Sequence, residues 1–193
     1  AGLPESFESE GYDRSHMRLP ECQNRLITEI LKVQPNTVIV LHNGSPVEMP
    51  WLGEIKGLLE TYLGGQAGGA AAANILYGKI NPSGKLAETY IKKYEDTPSY
   101  NYYPSQERNS EYREGIYVGY RYFDTAGVPV NYPFGYGLSY TTFAYSNLKL
   151  SMENPTEKDT VMVSADVTNT GNVAGKEAVQ LYVKDMTAST IRP

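Results

Sequence analysis

Thr37-Val-Ile-Val-Leu41, followed by His42-Asn-Gly-Ser-Pro46, is the stretch that decides the fold. A short β-branched run bounded by turn residues reads as a strand buried on both faces in a parallel sheet. The polar, glycine-containing loop after it then lies at the strand's carboxyl end, the edge where open α/β sheets place ligands.

Upstream, Pro20 suits a first helical turn. Cys22, Leu26 and Ile30 recur every four residues, with Ile27, Leu31 and Val33 flanking them, so a helix is expected with these side chains on its buried face. Gln34-Pro35-Asn36 ends it. Residues 1–19 show neither period and read as a loop carrying Glu5, Glu8, Glu10, Asp13, Arg14 and His16. Downstream, Ile55 to Leu63 is ambiguous between helix and strand, and the alanine-rich Gly69 to Tyr77 reads as a small-residue helix. This order of elements predicts α/β layers with the opening part of the sheet missing.

From Tyr145 the grammar changes. Val161, Val163, Ala165 and Val167 alternate with polar residues, Asn169-Thr-Gly-Asn172 marks a turn, and Val179, Leu181 and Val183 alternate again. About three strands are visible before Pro193, whereas a sandwich needs about seven, so a truncated β domain is expected. The expected organisation is an incomplete α/β domain over 1–143 and the start of a β domain over 144–193. Between helix and strands, Asp96 to Arg113 is rich in tyrosine, proline, asparagine and serine, and loops of that length are often functional.

The chain has 193 residues and a formal charge of −5 without a basic stripe, which argues against nucleic acid as a partner. No apolar run approaches the roughly 20 residues that span a bilayer. The single cysteine, Cys22, has no disulfide partner and no second thiol for a metal site. With no signal-like start, a cytoplasmic setting is favoured. His16 and His42, the only histidines, lack ligand spacing, so no metal and no cofactor is expected. The 17 tyrosines suit sugar binding and ordinary half-buried sheets equally.

For chemistry, Phe7-Glu-Ser-Glu-Gly-Tyr-Asp-Arg14 stands out. Glycoside hydrolysis needs one carboxyl group to protonate the leaving oxygen and a second to act as nucleophile or activate water. Glu10 sits beside Gly11, which permits a sharp turn, and between aromatic rings that could partly desolvate it. Desolvation raises a carboxyl pKa toward the working pH, as an acid catalyst requires. A merely solvated acidic loop stands beside this reading. Asp13 and Arg14 either pair with each other, orient the loop or touch a sugar. Tyr112, Arg113 and Glu114 either line a rim or form a structural arginine–glutamate pair, and Phe134, Tyr140 and Phe143 are expected to pack the domain seam.

Ser9-Glu10-Gly11-Tyr12-Asp13-Arg14 resembles the S-E-G-x-D-R loop of family 3 glycoside hydrolases of the β-glucosidase type. The stretch from Leu41 to Trp51, Tyr62-Leu-Gly-Gly-Gln66, Gly78-Lys-Ile-Asn-Pro-Ser-Gly-Lys-Leu86, the stretch from Tyr112 to Tyr122 and that from Pro133 to Phe143 are similar to further segments of the family. The resemblance implies a partial α/β sandwich domain followed by a truncated, fibronectin type III-like β-sandwich. It also implies a retaining exo-enzyme acting on terminal β-D-glucosyl residues of glucosides or oligosaccharides. Glu10 takes the acid/base role, with Glu8 as its rival, and Asp13, Arg14, Tyr112 and Arg113 are candidate substrate contacts. The family's aspartate nucleophile lies on a barrel domain absent from these residues, so the isolated chain is expected to be inactive. Two alternatives remain: a non-catalytic carbohydrate-binding or domain-docking module, and a xyloside or arabinoside specificity.

Overall fold

The computed structural model describes residues 1–105 and 108–189. Within these, the order is α1 (Glu21–Val33), β1 (Val38–Leu41), β2 (Gly57–Glu60), α2 (Gly68–Leu76), a short 3-10 turn (Tyr94–Asp96), α3 (Tyr120–Ala126), β3 (Phe143–Leu150) and β4 (Val163–Asn169). β1 and β2 pair in parallel with Val38 opposite Gly57 and Leu41 opposite Glu60. The ambiguous Ile55–Leu63 run therefore holds a strand, over Gly57–Glu60. On the free edge of β1, the Ala1 ammonium donates to Val40 O at 2.9 Å and His42 N to Ala1 O at 2.9 Å, so residues 1–3 run beside its end.

Ile39 and Leu41 are buried, but Val38 is 49% exposed, so β1 is covered fully on one face and only partly on the other. The core beneath it gathers Leu19, Ile27, Leu31, Val47, Met49, Trp51 and Tyr90. Trp51 and Tyr90 supply the two largest buried rings, and burial of such side chains dominates core energetics.

α1 is turned from its expected orientation. Cys22, Leu26, Ile30 and Val33 are exposed, while Ile27 and Leu31 face the core. Polar anchors set this rotation. Gln23 exchanges two hydrogen bonds of 2.8 Å with the Gly2 backbone, and Asn24 Oδ1 accepts from the Trp51 indole at 3.0 Å. Because i and i+4 share a helix face, fixing Gln23 inward brings Ile27 and Leu31 with it and turns the Cys22 stripe outward.

Residues 86–90 run against 131–136 through the Tyr90–Tyr132 bridge and the Gly135 N to Leu86 O bond of 2.8 Å. Met17, Ile91 and Phe123 form a second small core beneath α3. Gly127 ends α3 in the left-handed region at φ 64, its N–H capping Phe123 O, a conformation that costs glycine nothing. α2 is mostly exposed, with only Ala72 buried.

β3 and β4 pair antiparallel with an irregularity between Ser146 and Lys149. The alternating Val179–Val183 segment forms no strand among the described residues, and Val179, Leu181 and Val183 are exposed at 59%, 63% and 88%. A strand signal needs a neighbouring edge and a covering layer, and the β3–β4 pair provides no covered face there. Thr190 to Pro193 and Gln106–Glu107 lie outside the described residues. Through Tyr145, Glu177 and Tyr182, residues 145–182 instead contact Lys85 and Tyr120, beside pairs formed among residues 75–140. Lys85 Nζ lies 3.3 Å from Glu177 and donates to Gly137 O at 2.6 Å, and Tyr145 Oη donates to Glu177 at 2.9 Å. Phe134 stacks on Tyr120 at 4.9 Å, Tyr182 meets Tyr120 edge-on at 5.6 Å, and the Tyr140 hydroxyl donates to Ile75 O at 2.8 Å. No helix among the described residues is long and apolar enough to cross a membrane.

Leu41 is fully buried. Leu41→Ala should lower the unfolding free energy by about 3 kcal/mol in chemical denaturation followed by Trp51 fluorescence, the usual sum of lost transfer energy and residual cavity.

Candidate active site

The loop after residue 7 is a tight turn. Tyr12 N donates to Ser9 O at 3.4 Å, and the two residues bridge antiparallel, which puts Glu10 and Gly11 at the tip. Glu10 is exposed and has no hydrogen-bond or ion-pair partner among the described residues. The partial desolvation expected of it is not supplied by this chain. Phe7 meets the His16 ring edge-on at 5.9 Å, and the Tyr12 hydroxyl turns back to Glu5 O at 2.5 Å, so neither ring covers the Glu10 tip through these contacts.

Its neighbours are engaged. Arg14, with a side chain only 11% exposed, donates through Nη2 to Ser45 Oγ at 2.6 Å and to Pro46 O at 3.2 Å, and its Nε lies 3.6 Å from Glu8 Oε1. Ser45 Oγ in turn donates to Glu8 Oε1 at 3.0 Å. Asp13 accepts from the Tyr103 hydroxyl at 2.5 Å. Asp13 and Arg14 therefore pair outward, to residues 90 and 31 positions away, and not with each other. Of the three loop carboxylates, Glu8 and Asp13 are engaged and Glu10 is unengaged.

Arg113 pairs with Glu111, and not with the neighbouring Glu114; its guanidinium also lies over the Tyr102 ring at 4.6 Å from the centroid. Tyr112 is 82% exposed. Neither is brought to Glu10 by any contact among the described residues. A cleft of about 400 Å³ instead opens beside Arg14, walled by Glu88, Thr89, Tyr94, Glu114 and Phe123.

Composition and motif did not single out a second cluster, at the carboxyl ends of β1 and β2. Tyr90 donates to Glu60 Oε2 at 2.7 Å, Asn43 Nδ2 to Ser45 O at 2.8 Å and to Glu60 Oε2 at 3.3 Å, and Tyr62 N to Glu60 Oε1 at 2.7 Å. Burial pushes the Glu60 carboxyl above its ordinary range, against the hydrogen bonds it accepts. Burial, and then the charge of Glu60, push Glu88 up as well, with Arg14 opposing. The Tyr90 phenol is pushed far up by the same burial and by Glu60. The signal in the sequence was the position of Glu60 at the last residue of a strand's carboxyl edge, which the helix/strand ambiguity of its run concealed.

Residues 1–140 match the glycosyl hydrolase family 3 C-terminal domain. Over its full length the chain is 54% identical to the thermostable beta-glucosidase B of Acetivibrio thermocellus and covers 26% of that protein. It is 44% identical to an exo-alpha-(1->6)-L-arabinopyranosidase of Bifidobacterium longum, covering 25% of it. Among solved structures, a beta-glucosidase from Bifidobacterium adolescentis superposes at TM-score 0.82 with 47% identity, over 88% of this chain and 25% of that one. The beta-glucosidase of Kluyveromyces marxianus in complex with glucose superposes at 0.80 with 43% identity, over 88% and 20%. The chain thus spans about a quarter of the length of the curated relatives it matches.

A carboxyl group with a raised folded pKa adds stability below its ordinary value, near 4.5, and loses it as pH rises through the folded value. Glu88→Gln should therefore gain stability relative to the parent chain as pH climbs from about 4.5 to 7, read as the difference in denaturation midpoints across that range.

Proposed function

The chain belongs to glycosyl hydrolase family 3 through its C-terminal domain, and on that premise we propose that it serves a longer retaining exo-β-glucosidase as the carrier of the acid/base carboxyl, Glu10. The observation that carries this reading is the division of labour in the loop. Glu8 is committed to Arg14 and Ser45, Asp13 to Tyr103, and Glu10 stands unengaged at the tip.

In the reaction, a nucleophilic carboxylate outside residues 1–193 attacks the anomeric carbon. The bond from that carbon to the glycosidic oxygen breaks as the oxygen takes the proton of Glu10. The resulting glycosyl ester is then attacked by water, which gives its proton to Glu10, releasing the sugar and restoring both carboxyl groups. A retaining pair stands about 5 to 5.5 Å apart, so the two carboxyls must meet across the boundary between this chain and the remainder of the enzyme. Asp13 and Arg14 act here through the loop, while Tyr112 and Arg113 remain proposed rim contacts. The substrate is a neutral β-glucoside or oligosaccharide. An arabinoside or xyloside specificity is the second reading, favoured by the 44% identity to the arabinopyranosidase.

The purified 193-residue chain should show no turnover of an activated aryl β-glucoside, with or without Glu10. In the full-length enzyme, Glu10→Gln should lower kcat/KM for cellobiose by about 10²-fold or more. Unchanged turnover of a poorly activated glucoside would remove Glu10 from the role.

The cleft beside Arg14 gives a non-catalytic reading its one support, because a mostly apolar lining with the Tyr94 and Phe123 rings and a few polar groups, Glu88, Thr89 and Glu114, could hold a sugar without a nucleophile. Titration of the isolated chain with cellobiose separates the two. A site completed only between domains gives no saturable binding, whereas saturable binding favours the module.

A further inference from the structure

Glu10 has no hydrogen-bond or ion-pair partner among the described residues, yet the loop that carries it is tethered on both flanks by hydroxyl groups from distant parts of the chain, on the Arg14 flank together with the Pro46 carbonyl. On one flank Ser45 Oγ accepts from Arg14 at 2.6 Å and donates to Glu8 at 3.0 Å, closing residues 8 and 14 into one ring. Ser45 is itself fixed, because Asn43 Nδ2 donates to its carbonyl at 2.8 Å and Asn43 is 1% exposed. On the other flank, Tyr103 donates to Asp13 at 2.5 Å from the tyrosine-rich segment.

We propose that Ser45 and Tyr103 are positioning residues for the acid/base step, each holding one flank of the Glu10 turn so that its carboxyl meets the glycosidic oxygen. The proposal rests on the assignment of Glu10 given above. Little of the fold depends on the Tyr103 hydroxyl, since Asp13 and Tyr103 are both exposed and hydrogen bonds in such settings contribute little to stability. Ser45 Oγ also serves the nearly buried Arg14, so Ser45→Thr, which keeps that acceptor, separates geometry from stability on its flank. What the two hydroxyls constrain is geometry. Gly11 leaves the tip free to swing, and a general acid works only within about 2.6 to 3.2 Å of its target. Displacement on the order of 1 Å can cost about 10²-fold in rate. The tyrosine-rich segment thereby acquires a role in the reaction without touching the sugar.

The test uses the full-length enzyme with Ser45→Ala, Tyr103→Phe, Ser45→Thr and Glu10→Gln, each assayed as kcat/KM on alkyl and aryl β-glucosides of graded leaving-group acidity. A departing dinitrophenolate needs no proton, whereas an alkoxide does. Ser45→Ala and Tyr103→Phe should each lose roughly 10-fold on the alkyl glucoside, with the loss shrinking to about two-fold or less on the dinitrophenyl glucoside. Ser45→Thr, which keeps the hydroxyl, should restore most of the loss. A fall of equal size across the series, or none, overturns the positioning role. If Glu10→Gln itself shows no dependence on the leaving group, the acid/base assignment fails, and the positioning role with it. A steep dependence in Glu10→Gln beside flat profiles in Ser45→Ala and Tyr103→Phe sinks the positioning role alone.

Discussion

A guanidinium cannot shed its proton, so Arg14, nearly withdrawn from water, needs acceptors, and it finds them for Nη2 and Nε while Nη1 is buried without a partner among the described residues. It finds Ser45 Oγ, the Pro46 carbonyl and Glu8 within the region formed by two loops, and its charge opposes the upward push on Glu88. That single demand binds the 8–14 turn to the loop after β1. It also sets one wall of the cleft shared with Thr89, Glu114 and Phe123. Replacing Arg14 by a smaller residue would leave Glu8 and Glu88 repelling each other in a partly dry region without the cation that opposes them, which is why the loop cannot rearrange cheaply around a missing charge. Lysine would not repair this, since a point ammonium cannot reach Glu8 and Ser45 together with a planar fork's geometry.

How much of this was legible in the sequence differs from element to element. β1 and its polar loop could be read directly, because β-branched residues between turn formers allow few alternatives. The existence of α1 was equally plain, but its facing was not. Gln23 and Asn24 point inward to the Gly2 backbone and the Trp51 indole, and apolar periodicity is blind to polar residues that find partners in the core. Val179–Val183 carries strand alternation without a strand, since pairing depends on neighbours that alternation does not encode.

The site divides in the same way. Glu10 was nominated by the resemblance of its motif, since local chemistry, glycine beside a carboxyl on a loop, reads equally well as a solvated acidic turn. Its supports could not be read from the sequence. Ser45 lies 31 residues from Arg14, and Tyr103 lies 90 from Asp13, separations at which no spacing rule operates. Arg113 illustrates the converse error, where a neighbour in sequence, Glu114, was the natural partner to expect and Glu111 is the partner found.

The chain does contain a second pair of carboxyls with raised pKa values, Glu60 and Glu88, and these deserve comparison with Glu10 as catalytic candidates. Perturbed groups cluster at functional sites, but structural networks perturb pKa values as well. Glu60 has its carboxyl oxygens occupied by Tyr90, Asn43 and the Tyr62 N–H, all of them anchored in or beside the main core. A carboxyl so occupied has little freedom to exchange protons with a substrate, and releasing it would strand the buried Tyr90 hydroxyl and Asn43 amide. Glu88 gains its shift from burial and from Glu60, so it senses that network more than it acts beside it. Chemistry of the acid/base kind demands the opposite arrangement: a carboxyl whose oxygens are unoccupied until the substrate arrives, on a turn whose flanks are fixed. Within this chain Glu10 fits that description by geometry: it is exposed, unengaged among the described residues and at the tip of a turn whose flanks are held by Ser45 and Tyr103.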